Sequence, residues 1–133
     1  MKKILILFTI FGLMSCNLND SFKGFIQDND EKSEIIVKLA DSYLAGNFDM
    51  ARDYFTPDGK HFFNNLEFDV DGIIDGYNSH SLIFKDIKHN DREVYTATFT
   101  DGTVETFHDF DWSATSILTG KEYSYPCHCR WVW

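Results

Sequence analysis

Residues 87–133 read IKHNDREVYTATFTDGTVETFHDFDWSATSILTGKEYSYPCHCRWVW, and this stretch decides the fold class. Apolar and polar side chains alternate over residues 87–100, 103–117 and 122–133, as is typical of half-buried strands. Two turn signals separate these segments: Asp101-Gly102, a common two-residue hairpin loop, and the four residues from Leu118 to Lys121. The sequence therefore predicts three antiparallel strands in a row.

Helical patterns come before these strands. Residues 31–46 carry apolar side chains at helical spacing, and Gly46 is a natural stop. A shorter helix is expected over residues 47–55, a weak strand over residues 60–68, and a third helix over residues 70–86. Helices followed by antiparallel strands predict an α+β domain, with three N-terminal helices packed on one face of the sheet.

The two turns also predict the pairing of the strands. A two-residue loop at Asp101-Gly102 places Tyr95 opposite His108, and the second turn places His108 opposite Trp131. Both pairings assign the same side chains to an inner, aromatic face that should meet the helices. That face is expected to hold Tyr95, Ala97, Phe99, Val104, His108, Phe110, Trp112, Tyr125, Cys127, Cys129, Trp131 and Trp133.

The opposite face is expected to carry charges. Asp109 and Asp111 resemble a pair of catalytic carboxylates, but the pairing sets Asp109 opposite Arg130 and Asp111 opposite both His128 and Arg92. Opposed charges on neighbouring strands contribute about 0.2–1 kcal/mol each, so we interpret them as structural pairs.

His108 is the most informative residue of the inner face, and two interpretations remain open for it. A buried histidine among aromatic rings is most often a core residue, but it is also the side chain best suited to bind a ligand or move a proton. Cys127 and Cys129 are too far apart along one strand for an easy disulfide, and Cys127-His128-Cys129 lacks a second ligand pair. We therefore expect no metal and no cofactor.

The N-terminus indicates export. Met1-Lys2-Lys3 precedes an apolar run over residues 4–14, which is shorter than the roughly 20 residues that span a bilayer. Leu13-Met14-Ser15-Cys16 resembles a bacterial lipobox, in which the cysteine is acylated and becomes the new N-terminus. This resemblance implies a signal peptide over residues 1–15, lipidation of Cys16, a flexible tether over residues 16–30, and a cell-envelope protein attached to the lipid bilayer. An ordinary signal peptide or a short transmembrane helix is the alternative.

The charge of the chain limits its partners. The 12 basic residues include Lys2 and Lys3, so ten remain against 21 acidic residues beyond the leader, a net charge of −11. Such a chain repels nucleic acid and anionic lipid headgroups, which leaves acyl chains as the means of membrane attachment.

Residues 31–133 resemble the nuclear transport factor 2-like fold, which includes ketosteroid isomerase and the SnoaL-like cyclases. The resemblance rests on residues 107–115 (FHDFDWSAT), Thr119-Gly120-Lys121, residues 125–128 (YPCH), residues 39–49 (LADSYLAGNFD) and residues 54–58 (YFTPD). It implies a cone-shaped, curved antiparallel sheet that encloses an apolar pocket, with the family's last strand missing after Trp133.

Three functions follow from this resemblance. The first is binding of a small, largely apolar molecule. The second is an isomerase, cyclase or dehydratase that uses His108 as general acid or base and Tyr95 as hydrogen-bond donor to an oxyanion. The third is a module without catalysis that forms homodimers through outer-face pairs. The expected ligand-binding residues are Tyr77, Tyr95, His108, Phe110, Trp112 and Trp131.

Overall fold

The computed structural model describes residues 24–133, so the predicted signal peptide, Cys16 and the start of the tether lie outside the described residues. The described chain is α+β, with two α-helices, one 3-10 helix, a two-stranded hairpin and a curved four-stranded antiparallel sheet. In chain order the elements are β1 (Gly24–Gln27), α1 (Glu31–Leu44), the 3-10 helix (Asp49–Tyr54), β2 (His61–Phe63), β3 (Leu66–Phe68), α2 (Val70–Ile83), β4 (Phe84–Phe99), β5 (Val104–Ser116) and β6 (Glu122–Val132).

The helices begin and end where local chemistry requires. The Asp30 carboxylate accepts hydrogen bonds from the backbone N–H groups of Lys32 and Ser33 and so caps the start of α1. The helix stops before Gly46, whose φ of 77° lies in the left-handed region. Asp69 caps α2 in the same way. The two predicted helices are thus confirmed, but they are shorter than the expected ranges 31–46 and 70–86, because α1 ends at Leu44 and residues 84–86 already belong to β4. The short helix expected over residues 47–55 is a 3-10 helix.

The sheet contains one strand that the sequence analysis assigned to the tether. Gly24–Gln27 pairs antiparallel with the end of β4, so that the strand order is β1-β4-β5-β6. The expectation of a flexible tether up to residue 30 is therefore wrong for its last residues. Backbone pairing with an existing strand organises this segment, which at four residues (GFIQ) is too short to give a strong strand signal of its own.

The hairpin between β4 and β5 is closed by Phe99 and Thr103, so its loop contains the three residues 100–102 and not two. The Phe99 N–H donates to the Thr103 carbonyl at 2.8 Å, and the Gly102 N–H donates to the Phe99 carbonyl at 3.0 Å. Gly102 has a φ of 90°, while the Asp101 carboxylate accepts from the Thr103 N–H at 2.9 Å. The two-residue type I′ turn that Asp-Gly favours requires positive φ at both central residues. Here Gly102 has positive φ and Asp101 does not.

This extra loop residue changes the face of β4. Tyr95 pairs with Phe107, and Val94 pairs with His108. The predicted positions of Tyr95, Ala97 and Phe99 on the inner face are therefore wrong, because a one-residue change of register moves each side chain of a strand to the opposite face.

The loop between β5 and β6 also differs from the prediction, but the β6 side chains stay on their predicted faces. Ser116 donates its N–H to the Lys121 carbonyl, so the four-residue loop covers residues 117–120, one position earlier than expected. Each β6 partner therefore changes by two residues, and Trp131 pairs with Thr106. A two-residue change preserves the faces of β6. Trp112 and Trp131 remain on the inner face with His108, as the sequence predicts.

A chain of hydrogen bonds ties β6 to α1 through the sheet. The Trp133 indole N–H donates to the Thr106 hydroxyl at 2.8 Å, which contacts the Thr96 hydroxyl at 2.8 Å. Thr96 contacts Ser33 at 2.9 Å, and Ser33 donates to the Asp30 carboxylate at 2.7 Å. The indole is only a donor and the carboxylate only an acceptor, so each hydroxyl between them has one defined direction. Among the described residues, no helix is both long and apolar enough to span a membrane.

Candidate functional site

The inner face of the sheet surrounds His108. This side chain is only 4% exposed and lies on β5, between Val94 of β4 and Cys129 of β6. Its ring lies 4.3 Å from that of Phe110 and 5.3 Å from that of His89, measured between ring centroids. The prediction that His108 faces the helices is confirmed.

Four buried ring nitrogens at or near the inner face of the sheet lack hydrogen-bond partners. Nε2 of His108, Nδ1 of His89, Nε2 of His61 and Nε1 of Trp131 are buried and unpartnered within the described chain. An unsatisfied buried donor or acceptor costs about 1–3 kcal/mol, and native proteins contain few of them. Such a group in a native fold needs an explanation, and a bound molecule that supplies the missing partners is one.

The two central imidazoles are uncharged at neutral pH. Burial, reinforced by the nearby Arg92 charge, lowers the pKa of His108 to about 4. Burial and then the neighbouring His108 lower the pKa of His89 to about 3. A pKa this far below 7 makes His108 a weak general base, because efficient proton transfer favours a catalytic pKa near the working pH.

A hydrogen-bonded relay lies next to these rings. The Trp112 indole N–H donates to the Tyr43 hydroxyl at 2.8 Å, and this hydroxyl lies 2.8 Å from Nδ1 of His80. Because the Tyr43 oxygen accepts from the indole, its own proton is available for His80. Burial raises the pKa of Tyr43 to about 12, so the hydroxyl keeps that proton.

The expected binding residues Tyr77, Phe110, Trp112 and Trp131 all pack against the buried core. Tyr77 meets the Tyr43 ring edge-on at 5.5 Å. Phe110 stacks on His89 at 3.7 Å, in contact with His108. The structure thus places these four side chains in the same aromatic interior as His108.

Two residues outside the predicted set cover this interior. Phe55 lies parallel to the Trp131 indole, with ring centroids 5.5 Å apart and planes at 5°. His61 of β2 lies over Phe55 at 4.0 Å. Phe55 is the last inward-facing residue of the short helix predicted over residues 47–55, and His61 lies in the weak strand predicted over residues 60–68. Neither pattern indicated that these residues cover the interior.

Tyr95 does not belong to this interior. Its ring stacks on Phe107 at 5.3 Å, and its hydroxyl lies 3.4 Å from the Asp109 carboxylate on the opposite face of the sheet. The predicted pairing of Tyr95 with His108 in acid–base chemistry or ligand binding is therefore corrected. The three-residue loop before β5 is the cause.

The outer face has the expected charges with different partners. Asp109 pairs with His128 and Arg130 pairs with Glu105, because β6 is displaced by two residues from the predicted register. Arg92 was predicted on this outer face, and that prediction is wrong. It stands in the irregular stretch of β4 between Asn90 and Glu93 and pairs with Asp41 of α1, on the helix side of the sheet, at 2.7 Å. The cations that the dimer hypothesis requires are thus already engaged within one chain.

Two open clefts lie away from His108. One, of about 610 Å³, lies between the 3-10 helix and α2 and includes Asn47 and Asn78. The other, of about 690 Å³, lies beside Gln27, Arg92 and Tyr95. Within residues 24–133, no group of three or more histidine, cysteine, aspartate or glutamate side chains is arranged to hold a metal ion.

Comparisons with known proteins add no relative. The chain matches no protein-family model, no curated protein and no solved structure.

Proposed function

We propose that this chain is an exported lipoprotein whose domain binds a small, largely apolar molecule against the inner aromatic face. The observation that carries the proposal is the set of unpartnered ring nitrogens, above all Nε2 of His108 and Nε1 of Trp131. These two residues lie diagonally on neighbouring strands, where side chains of one face are about 7–8 Å apart. One small molecule can therefore reach both nitrogens.

The surroundings suit such a ligand. Aromatic rings supply a large apolar contact area, and a few convergent polar groups give orientation, which is the usual composition of a small-molecule site. The element order and the curved antiparallel sheet also support our inference of a nuclear transport factor 2-like domain with a cone-shaped interior. The enzyme alternative has less support, because Tyr95 and His108 lie on opposite faces.

Entry requires a covering segment to move. Phe55 and His61 close the interior over Trp131, and β2 pairs only with β3 among the described strands. A two-stranded hairpin of this size has little stability of its own, so it opens more easily than the four-stranded sheet. We propose that ligand passes beneath this hairpin.

A neutral fluorescent probe tests the binding proposal. N-phenyl-1-naphthylamine should bind the purified protein with a blue shift and gain in emission. His108→Phe should weaken binding about threefold to tenfold, the effect of one hydrogen bond. Tyr95→Phe should change the dissociation constant less than twofold, because Tyr95 faces away from the interior.

Circular dichroism of each variant controls for folding in this titration. Emission that does not respond to the protein would exclude a binding interior for this class of probe. Equal weakening by His108→Phe and Tyr95→Phe would contradict the assignment of the site to the inner face.

Metabolic labelling tests the membrane anchor. A bacterial host supplied with an alkyne analogue of palmitate should label the wild-type chain, and Cys16→Ser should abolish the label because the acylated thiol is removed. Cys127→Ser, which removes a free thiol of the domain, should leave the label unchanged. Label that persists in Cys16→Ser would contradict the lipoprotein proposal.

A further inference from the structure

We infer that one end of the four-stranded sheet rests on the surface of the bilayer that holds the acylated Cys16. The surface that makes this contact, the anchor-side patch, consists of Phe25, Ile26, Phe99, Val132 and Trp133. The inference rests on the proposed lipid anchor and adds the orientation in which the domain meets the membrane.

Exposed apolar side chains cluster at this end of the sheet. Ile26 pairs with Ala97, Ala97 pairs with Glu105, and Glu105 pairs with Val132, which gives one row across all four strands on the outer face. Ile26 is 69% exposed and Val132 is 64% exposed. Phe99 is a diagonal neighbour of Ile26 on the same face, within reach of its side chain. Single exposed apolar residues are normal, but a cluster of this kind marks an interaction site.

The inner face contributes two aromatic rings at the same end. Phe25 pairs with Thr98, and Trp133 donates its backbone N–H to the Val104 carbonyl at 3.1 Å. Lys32 of α1 lies over the Trp133 ring, with Nζ 4.4 Å from the ring centroid. A tryptophan beside a lysine suits the interface between membrane and water, where aromatic rings lie at the level of the headgroups and long cationic side chains extend toward water.

Electrostatics favours a bilayer with neutral headgroups. Nε and Nη2 of Arg130 donate to the two carboxylate oxygens of the buried Glu105, so the middle of the row carries no unpaired charge. Asp101 is exposed in the loop that projects beyond this end. The chain beyond the leader has ten basic and 21 acidic residues and therefore repels anionic lipids. The contact must then come from the apolar side chains.

The length of the tether keeps this end close to the membrane. Gly24 pairs with Phe99 beside the patch, and Cys16 lies eight residues before Gly24, a distance of at most about 29 Å in any conformation. Short linkers give effective concentrations in the millimolar range. A patch with only weak intrinsic affinity for lipid is therefore still occupied once Cys16 is in the bilayer.

The far end of the sheet provides an internal control. Ile117 donates its N–H to the Ile83 carbonyl at 3.0 Å, which joins the loop after β5 to the end of α2. This far-end group of exposed apolar side chains consists of Leu82, Ile83, Ile117 and Leu118. Because β5 has 13 residues and spans roughly 40 Å, an upright domain with this group on the bilayer would raise Gly24 beyond the reach of the tether.

Methyl NMR of the full-length, lipidated protein in phosphatidylcholine nanodiscs tests this orientation. A small fraction of lipid with a nitroxide at the headgroup broadens the signals of nearby methyl groups. We expect the methyl signals of Ile26 and Val132 to lose at least half of their intensity, while those of Ile117 and Leu118 keep nearly all of it. This comparison within the wild type needs no variant.

A pair of double variants separates true contact from mere proximity to the tether. Ile26→Ser with Val132→Ser removes two exposed apolar side chains, and the methyl signals of Val104, at the same end of β5, then report the contact. Their broadening should fall at least twofold. Ile117→Ser with Leu118→Ser is the matched control and should leave the broadening of Val104 unchanged. Circular dichroism shows that both proteins are folded.

The outcomes separate the orientation from the anchor. If Cys16 carries the palmitate label but Ile26 and Val132 keep their intensity, the orientation is wrong, the anchor stands, and the patch is left to a protein partner such as a second copy. Broadening of Leu118 instead, or broadening of Val104 that the Ile26 and Val132 substitutions do not reduce, would also overturn the orientation. If Cys16 carries no lipid, the anchor and the orientation are both wrong.

Discussion

Lowering the pH from 7 to 5 should reduce the free energy of unfolding by about 2–3 kcal/mol, after allowance for the partial exposure of His89. Burial lowers the pKa of His89 to about 3 and that of His108 to about 4, whereas a histidine of the unfolded chain has a pKa near 6.5. Between these values the unfolded chain binds more protons, so stability is lost as the pH falls. Carboxylates protonate mainly below pH 5, so this interval isolates the imidazoles.

Urea unfolding at pH 7, 6 and 5 measures this loss. His108→Phe should reduce the pH dependence by about half, because one of the two strongly shifted imidazoles is removed and the ring volume is retained. Equal stability of the wild type at pH 7 and pH 5 would show that these imidazoles are hydrated and would contradict their burial.

Tyr43→Phe should destabilise the fold by about 2–4 kcal/mol, because it leaves two groups without a partner. The Trp112 indole N–H and Nδ1 of His80 both bond to the Tyr43 hydroxyl at 2.8 Å, and Tyr43 is only 6% exposed. The substitution removes a single oxygen and preserves the ring contacts, so the effect reports on the relay rather than on packing.

Tyr77→Phe is the matched control for this measurement. Tyr77 packs against the Tyr43 ring in the same core but is not part of the relay. We expect it to cost less than 1 kcal/mol, within the usual range for a hydroxyl outside a buried network. Similar losses for the two variants, from chemical denaturation at pH 7, would argue against the relay as a stabilising unit.

The helices and the sheet order were largely predictable because their signals are local. Asp30 caps α1, Gly46 ends it, and alternation marks the three long strands. By contrast, the pairing of Gly24–Gln27 with β4 is a long-range contact that leaves almost no trace in a four-residue segment.

The residues of the candidate site were predicted correctly only where an error in strand register left their side chains on the inner face of the sheet. The second loop lies one residue earlier than expected, which shifts the β6 register by two residues, and Trp112 and Trp131 still face inward. The first loop is one residue longer, and this moved Tyr95 to the outside. Asp-Gly is compatible with both two- and three-residue hairpin loops. The dipeptide alone therefore does not determine which β4 side chains lie on the inner face of the sheet.

His89 shows why the remainder of the site was missed. Register shifts occur between Lys85 and Lys88 and between Asn90 and Glu93, each with one extra residue on β4. Asp86 and Asp91 adopt positive φ within these irregular stretches, at 56° and 50°. Such bulges interrupt the two-residue period, so His89 and Tyr95, which simple alternation puts on one face, lie on opposite faces of the sheet. The available sequence signal for these bulges was an aspartate within a strand pattern, because aspartate tolerates positive φ better than most residues.

The most direct test of the central claim is the imidazole ¹⁵N spectrum of His108 as a function of pH, with and without N-phenyl-1-naphthylamine. We predict that His108 stays neutral down to about pH 4 and that the naphthylamine probe shifts the signals of its ring nitrogens. His108→Phe assigns the signal by its disappearance. An imidazole that titrates near pH 6.5 and does not respond to the ligand would mean that this ring lies in water, and it would contradict a binding interior on this face of the sheet.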